Sequence, residues 1–142
     1  MKILLAVDGS TPADHATRRL VESLGWYAAT PEIHVVNVHL PVPRVGGMHR
    51  VVSEAQIDDY YADECARALA PARRILDEAG VRYVVHAELG QPAEAIVKTA
   101  RHLGVDLVCL GTRGHGAVGR MVLGSVALDV ARHSPVPVML VH

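Results

Sequence analysis

The fold is decided by two stretches near the end of the chain: VDLVCLGTRG, residues 105–114, and GSVALDVA, residues 124–131. The first begins with an apolar run, Val105 to Leu110, that predicts a buried strand ending in glycine. The second has the spacing of a helix and opens with Gly124 and Ser125. A glycine-rich connection between strand and helix lets backbone N–H groups approach an anion, because glycine lacks Cβ and tolerates positive φ. We therefore expect a phosphate site here, with Ser125 adding a hydroxyl donor.

Two other phosphate-binding patterns fit this loop poorly. It has no lysine, which excludes a Walker A loop. Residues 114–119 do match G-x-G-x-x-G, but a dinucleotide site needs its first glycine at the strand end and an acid closing the next strand. Here the strand ends three residues earlier, and the next strand closes on Val-His at 141–142. NAD binding is therefore rejected, and phosphate binding is assigned to Gly111, Gly114 and Gly124.

The glycine spacing resembles the nucleotide-binding signature of the universal stress protein family, in its ATP-binding branch. Two residues separate Gly111 from Gly114. Nine separate Gly114 from Gly124, which Ser125 follows directly. The resemblance extends over essentially the whole chain. Three further stretches resemble the family's first strand, the entry to its third helix and its closing strand: KILLAVDGS at 2–10, GQPAEAI at 90–96 and SPVPVMLV at 134–141.

Length and composition indicate one globular domain, residues 1–142. The net charge of −1 gives no general field that would favour nucleic acid or an acidic membrane. No apolar run reaches the roughly 18 residues of a membrane helix, and the N-terminal run is too short for a signal peptide. Two cysteines do not make a disulfide framework. We expect a soluble, cytoplasmic protein.

Strand and helix patterns alternate along the chain. Five strands are predicted at 2–7, 32–39, 81–88, 105–110 and 136–141. Four helices are predicted from Thr11 to about 28, from 53 to about 79, from Pro92 to about 104, and from about 124 to 133. Thr11 is the predicted N-cap of the first helix, with Pro12 at its first position. Residues 40–53 are predicted as a loop, Ser53 opens a capping box, and Pro71 should kink or split the second helix.

Near-continuous apolar strands alternating with helices predict an α/β fold with a parallel sheet covered on both faces. The resemblance implies a single-domain, open, twisted five-stranded sheet of the Rossmann-like, adenine nucleotide alpha hydrolase-like type, in the order 3-2-1-4-5. In that order the first and fourth strands are neighbours at the topological switch point, where ligands bind beyond the carboxyl ends of the strands. Asp8 and Gly111 should meet there.

The resemblance also implies roles for individual residues. Asp8 would accept hydrogen bonds from a ribose, close to any bound metal, although an Asp-Gly pair also suits a simple turn. The backbone N–H and C=O of Val38 would read the adenine edge, and the N–H of Val126 would bind phosphate. Both residues have an ordinary structural interpretation as well. Arg113 and Arg120 flank the loop and are equally consistent with phosphate binding and with a solvated surface.

The nine histidines show no ligand spacing, so no protein-only metal site is expected. Magnesium carried on nucleotide phosphates is the expected metal. A hydrolase needs a general base near the γ-phosphate, and only His115 is a candidate in the loop; no G-x-S-x-G elbow exists. No catalytic residue is therefore assigned. The leading interpretation is ATP binding with slow or no turnover. The alternatives are an ATP-hydrolysing or nucleotide-transferring enzyme on the same fold, and a structural dimer that binds no nucleotide.

The last strand would lie at a sheet edge if the implied order holds. An exposed apolar edge recruits another chain. Pro137 weakens one end, but Val138 to Val141 remain able to pair. The alternative is an edge that the proline protects from pairing. We expect a homodimer through this strand instead, as the resemblance also implies.

Overall fold

Five parallel strands and four helices make up the computed structural model, which describes residues 1–41, 54–114 and 123–142. The strands are β1 (Lys2–Ala6), β2 (Glu32–His39), β3 (Tyr83–Leu89), β4 (Leu107–Gly111) and β5 (Val138–Val141). The helices in these parts of the chain are α1 (Thr11–Ser23), α2 (Glu54–Glu78), α3 (Pro92–Leu103) and α4 (Ser125–His133). The strand order is β3-β2-β1-β4-β5, which confirms the prediction.

The two faces of the sheet carry separate hydrophobic cores, because successive side chains of a strand point to opposite faces. Ile3 and Leu5 of β1 pack with apolar residues of α1 and α2. Leu4 and Ala6 pack with apolar residues of α3 and α4. Buried on both faces, β1 lies at the centre of the sheet, with β2 and β4 as its neighbours. Within the described residues no helix is long and apolar enough to cross a membrane.

The N-cap of helix α1 lies one residue earlier than predicted. Its N-cap is Ser10, whose hydroxyl accepts a hydrogen bond from the Ala13 N–H at 3.4 Å. Thr11 is the first helical residue instead. Both residues carry the hydroxyl that suits an N-cap, so composition alone does not separate them. The helix also ends earlier, at Ser23, and continues only as a short 3₁₀ turn, Leu24–Trp26.

Pro71 was predicted to kink or split helix α2, and the helix is not split. It runs unbroken from Glu54 to Glu78. Proline removes one N–H, so the carbonyl of Arg67 loses its helical partner. Arg67 is exposed, where water can satisfy that carbonyl. The buried face, which includes Leu69 and Leu76, continues on both sides of the proline, and this packing favours a continuous helix. The predicted capping residue, Ser53, lies outside the described residues.

Candidate functional site

A cavity of about 270 Å³ opens beyond the carboxyl ends of β1 and β4. This is close to the lower end of the roughly 300–1,000 Å³ typical of small-molecule sites. Every residue assigned to the site from the sequence lines it: Asp8, Val38, Gly111, Gly114, Gly124, Ser125 and Val126. The expected meeting of Asp8 and Gly111 at the switch point is therefore observed.

The chain leaves β1 through a tight turn that directs Asp8 into the cavity. Gly9 has φ of +79°, and a Cβ there would lie 3.0 Å from the Ala68 Cα of α2. Only glycine accepts that conformation without strain. One carboxylate oxygen of Asp8 accepts hydrogen bonds from the N–H of Ser10 at 3.0 Å and from its hydroxyl at 2.5 Å. Asp8 therefore does act as a turn residue, while also lining the cavity.

The second carboxylate oxygen of Asp8 faces the loop after β4. A Cβ built on Gly114 would lie 2.5 Å from that oxygen. Gly114 therefore provides the room in which the Asp8 side chain lies. This places a carboxylate and a segment of glycine backbone in direct contact at the mouth of the cavity.

Gly111 and Gly124 are required by packing and not by positive φ. A Cβ on Gly111 would lie 2.8 Å from the Pro12 carbonyl oxygen, and one on Gly124 would lie 3.2 Å from the Thr112 carbonyl oxygen. Of the two properties of glycine named in the sequence analysis, close approach and not positive φ applies to Gly111, Gly114 and Gly124. In the described part of the chain the glycines with positive φ are Gly9, Gly80, Gly90 and Gly104.

The N-terminus of α4 forms the far wall of the cavity. Its N-cap is Gly124, which offers no side-chain hydrogen bond to the first turn. The N–H groups at the start of a helix have no partner within it, and the helix dipole favours negative charge there. Ser125 and Val126 supply those groups, and Arg113 lines the same cavity. Arg120 and His115 lie outside the described residues.

An apolar wall completes the cavity, and the sequence analysis did not find it. Val36 of β2 and Pro92 and Ile96 of α3 contribute to it, together with Ala13 of α1. The strand order offered a signal for it. Helix α3 begins directly after β3, the neighbour of β2, so its N-terminus lies at the carboxyl end of the sheet, where the cavity opens. Together with Val38, these side chains make a region suited to a flat, weakly polar group.

The titratable groups that the structure describes outside the cavity form no metal centre. Among the described residues no three His, Cys, Asp or Glu side chains are placed to hold an ion. The nearest approach is a pair across β2 and β3: His34 Nδ1 lies 2.9 Å from His86 Nε2, and His34 Nε2 lies 2.9 Å from Glu32 Oε1. Burial raises the pKa of the Cys109 thiol to about 12, so this cysteine packs as a small hydrophobe.

Comparison with known proteins agrees with this architecture. The profile of the universal stress protein family matches residues 1–142. A universal stress protein of Thermus aquaticus, encoded in the QAH/OAS sulfhydrylase 3′ region, is 36% identical over 98% of this chain and 96% of its own length. The structure of UspA from Lactobacillus plantarum aligns with a TM-score of 0.80 at 22% identity, over 100% of this chain and 97% of that one. The universal stress protein from Archaeoglobus fulgidus in complex with dAMP aligns with a TM-score of 0.68 at 24% identity, over 100% and 98%. The chain described here belongs to the universal stress protein family.

Proposed function

We propose that this protein binds ATP in the cavity between β1 and β4 and acts as a nucleotide-dependent regulator in the response to stress. The observation that carries the proposal is the convergence of three distant parts of the chain, around Asp8, Val38 and Gly111 to Val126, on one cavity. A universal stress protein of the same fold has been solved with the adenine nucleotide dAMP. Binding at a switch point is the general behaviour of open α/β sheets.

The lining divides into three regions along the proposed ligand. Val38 and the apolar wall would hold the base, and Asp8 would accept a hydrogen bond from the ribose. The backbone around Gly114 and Gly124, with Ser125 and Val126, would bind the phosphates. Magnesium, when bound, would neutralise phosphate charge and needs few protein ligands. The oxygen donors of Asp8 and Ser125 fit such an ion.

Binding without efficient turnover follows from the donors around the cavity. In the described lining Asp8 is the single carboxylate, and one of its oxygens is already occupied by Ser10. A phosphoryl-transfer enzyme places a base or a water-positioning group at the γ-phosphate, with kinases turning over at about 1–100 per second. We expect ATP hydrolysis far below that rate, and little change in His115→Ala. Several turnovers per second, lost in His115→Ala, would favour the enzyme instead.

A homodimer through β5 completes the proposal. β5 is an edge strand, and in the part of the chain that the structure describes its outer side carries no partner strand. Its four residues are half-buried and wholly apolar. Two copies meeting antiparallel along this edge would satisfy the unpaired backbone groups.

Calorimetric titration of ATP into Gly114→Val tests the binding site. The new side chain would displace the Asp8 carboxylate and block close approach of phosphate, so we expect binding to be lost while thermal unfolding stays cooperative. Gly25→Val is the matched control, because a Cβ there meets nothing within 4 Å. Wild-type affinity in Gly114→Val would overturn the assignment, as would the absence of ATP binding by the wild type.

A further inference from the structure

Asn37, two residues before the end of β2, carries a buried side-chain amide close to the cavity. Asn37 is 1% exposed within an otherwise apolar core. Its Nδ2 donates to the carbonyl oxygen of Val7 at 2.8 Å. Its Oδ1 is buried and has no hydrogen-bond partner among the described residues. Buried polar atoms without a hydrogen-bond partner are uncommon in folded proteins.

The bond from the Asn37 Nδ2 stands at the point where the backbone ladder between β1 and β2 ends. The last backbone bond between these strands runs from the Val7 N–H to the Val36 carbonyl, at 3.0 Å. In a parallel ladder the next bond would run from the Val38 N–H back to the Val7 carbonyl. That pairing is absent, since the register of the two strands ends at Ala6 and Val36. The Asn37 amide occupies the Val7 carbonyl instead.

The backbone of Val38 is therefore left facing the cavity. The N–H and C=O of one strand residue point to the same side, so those of Val38 face β1, as those of Val36 do. Beyond Val7 the β1 chain has already turned away at Gly9. On the other side, β3 bonds to the alternate residues of β2, as the bond from Gly90 N–H to the His39 carbonyl shows. One donor and one acceptor thus lie side by side at a cavity that Val38 lines.

We propose that Asn37 is a positioning residue for base recognition: by ending the β1–β2 ladder one bond early, it presents the Val38 N–H and C=O to the base of the nucleotide. This inference rests on the proposed function. The pair matches adenine, whose ring nitrogen accepts a hydrogen bond beside an amino group that donates one. Hypoxanthine offers the reverse order, a ring N–H beside a carbonyl. With its phosphates held at Gly124 and Ser125, a nucleotide cannot turn its base over to correct the mismatch.

Hydrogen exchange tests the ladder without any ligand. In the wild-type protein the Val38 amide should exchange at least about tenfold faster than the Val36 amide, which lies within the ladder. In Asn37→Leu, which keeps the size of the side chain and removes the donor, the Val38 amide should close onto Val7 and become protected. Equal protection of Val36 and Val38 in the wild type would overturn the inference.

Affinity for ATP and for inosine triphosphate tests the consequence. The wild type should prefer ATP by at least about tenfold, the worth of one to two hydrogen bonds. In Asn37→Leu that ratio should fall toward one. Val35→Ala is the matched control, since Val35 is fully buried on the same face of β2, and it should lower stability while keeping the ratio. A wild type that binds both nucleotides equally well would overturn the role of Asn37 and leave the proposed function standing. A wild type that binds neither would overturn both, even if Val38 exchanges quickly.

Discussion

The two edges of the sheet differ in chemistry although both belong to parallel strands of the same domain. β5 is a short apolar run from Val138 to Val141. β3 alternates between apolar and titratable residues, with His86 and Glu88 on the same face as the half-exposed Val84. Charged and polar side chains blunt an edge against pairing, whereas an apolar edge invites it. The proposed dimer would therefore use the β5 edge and leave the β3 edge in solvent.

The largest effect is expected from introducing a charge on each edge, which tests whether β5 and not β3 forms the dimer. Leu140→Asp should weaken the proposed dimer by at least about a hundredfold, because the new charge would lie on the sheet face where Leu140 packs against the core and pairing of the two edges would bury it further. Val84→Asp, at a position that is 49% exposed on β3, should leave the oligomeric state unchanged. Light scattering at micromolar concentration measures both.

The wild type is the first sample in that experiment. A wild-type monomer at these concentrations contradicts the dimer, and dissociation caused by Val84→Asp would move the interface to β3. Circular dichroism of Leu140→Asp separates dissociation from unfolding.

Acidification should affect the β3 edge, because His86 of β3 contacts His34 of β2. Burial lowers the pKa of His86 from 6.5, His34 and His102 lower it further, and Glu88 opposes them. The unfolded chain therefore binds this proton more readily, so stability falls as pH drops below about 6.5 and changes little above about 7.5. Unfolding by urea across pH 5–8 measures the trend.

A variant series identifies the source of that trend. His86→Asn should flatten the fall in stability, since the group that gains the proton on unfolding is gone. His15→Asn, at an exposed position of α1, is the control and should keep the wild-type slope. Equal slopes in all three proteins would show that the histidine pair does not set the pH dependence.

The smallest expected effect concerns the attachment of β3 to α2. The Tyr83 hydroxyl donates to the Asp77 carboxylate at 2.9 Å near the protein surface. Tyr83→Phe should lower the free energy of unfolding by about 0.5–1.5 kcal/mol, the net worth of one hydrogen bond. Denaturant titration gives the value. A loss above that range would mean that the phenol also orders its surroundings.

The positions of the strands were predictable because they depend on patterns within single elements, whereas the strand order came from the family resemblance. Apolar runs placed the strands to within about two residues, and the glycine spacing identified the loop. The choice between Ser10 and Thr11 as N-cap was not predictable, since both carry the same functional group. The continuity of α2 through Pro71 depends on packing against the sheet, which a local rule does not include.

Contacts between strands were beyond the sequence for a different reason. The hydrogen bond between His34 and His86, and that between Asn37 and Val7, depend on the register of separate strands. Nothing in a single sequence fixes that register in advance. The one available signal was a polar residue within the apolar run of β2, at His34 and again at Asn37.

The close approach of Gly111 to Pro12 bears on how glycine signatures are read in other chains. The absence of a side chain at 111 lets α1 pack against β4, and that need exists whether or not a ligand is ever bound. The first glycine of the spacing is thus a marker of architecture. Gly114, which makes room for a carboxylate, is a marker of the cavity's chemistry. A chain that keeps the glycine equivalent to Gly111 and loses the one equivalent to Gly114 would share this fold but have an altered cavity. A search for the first glycine alone would not separate such chains from those with the cavity described here.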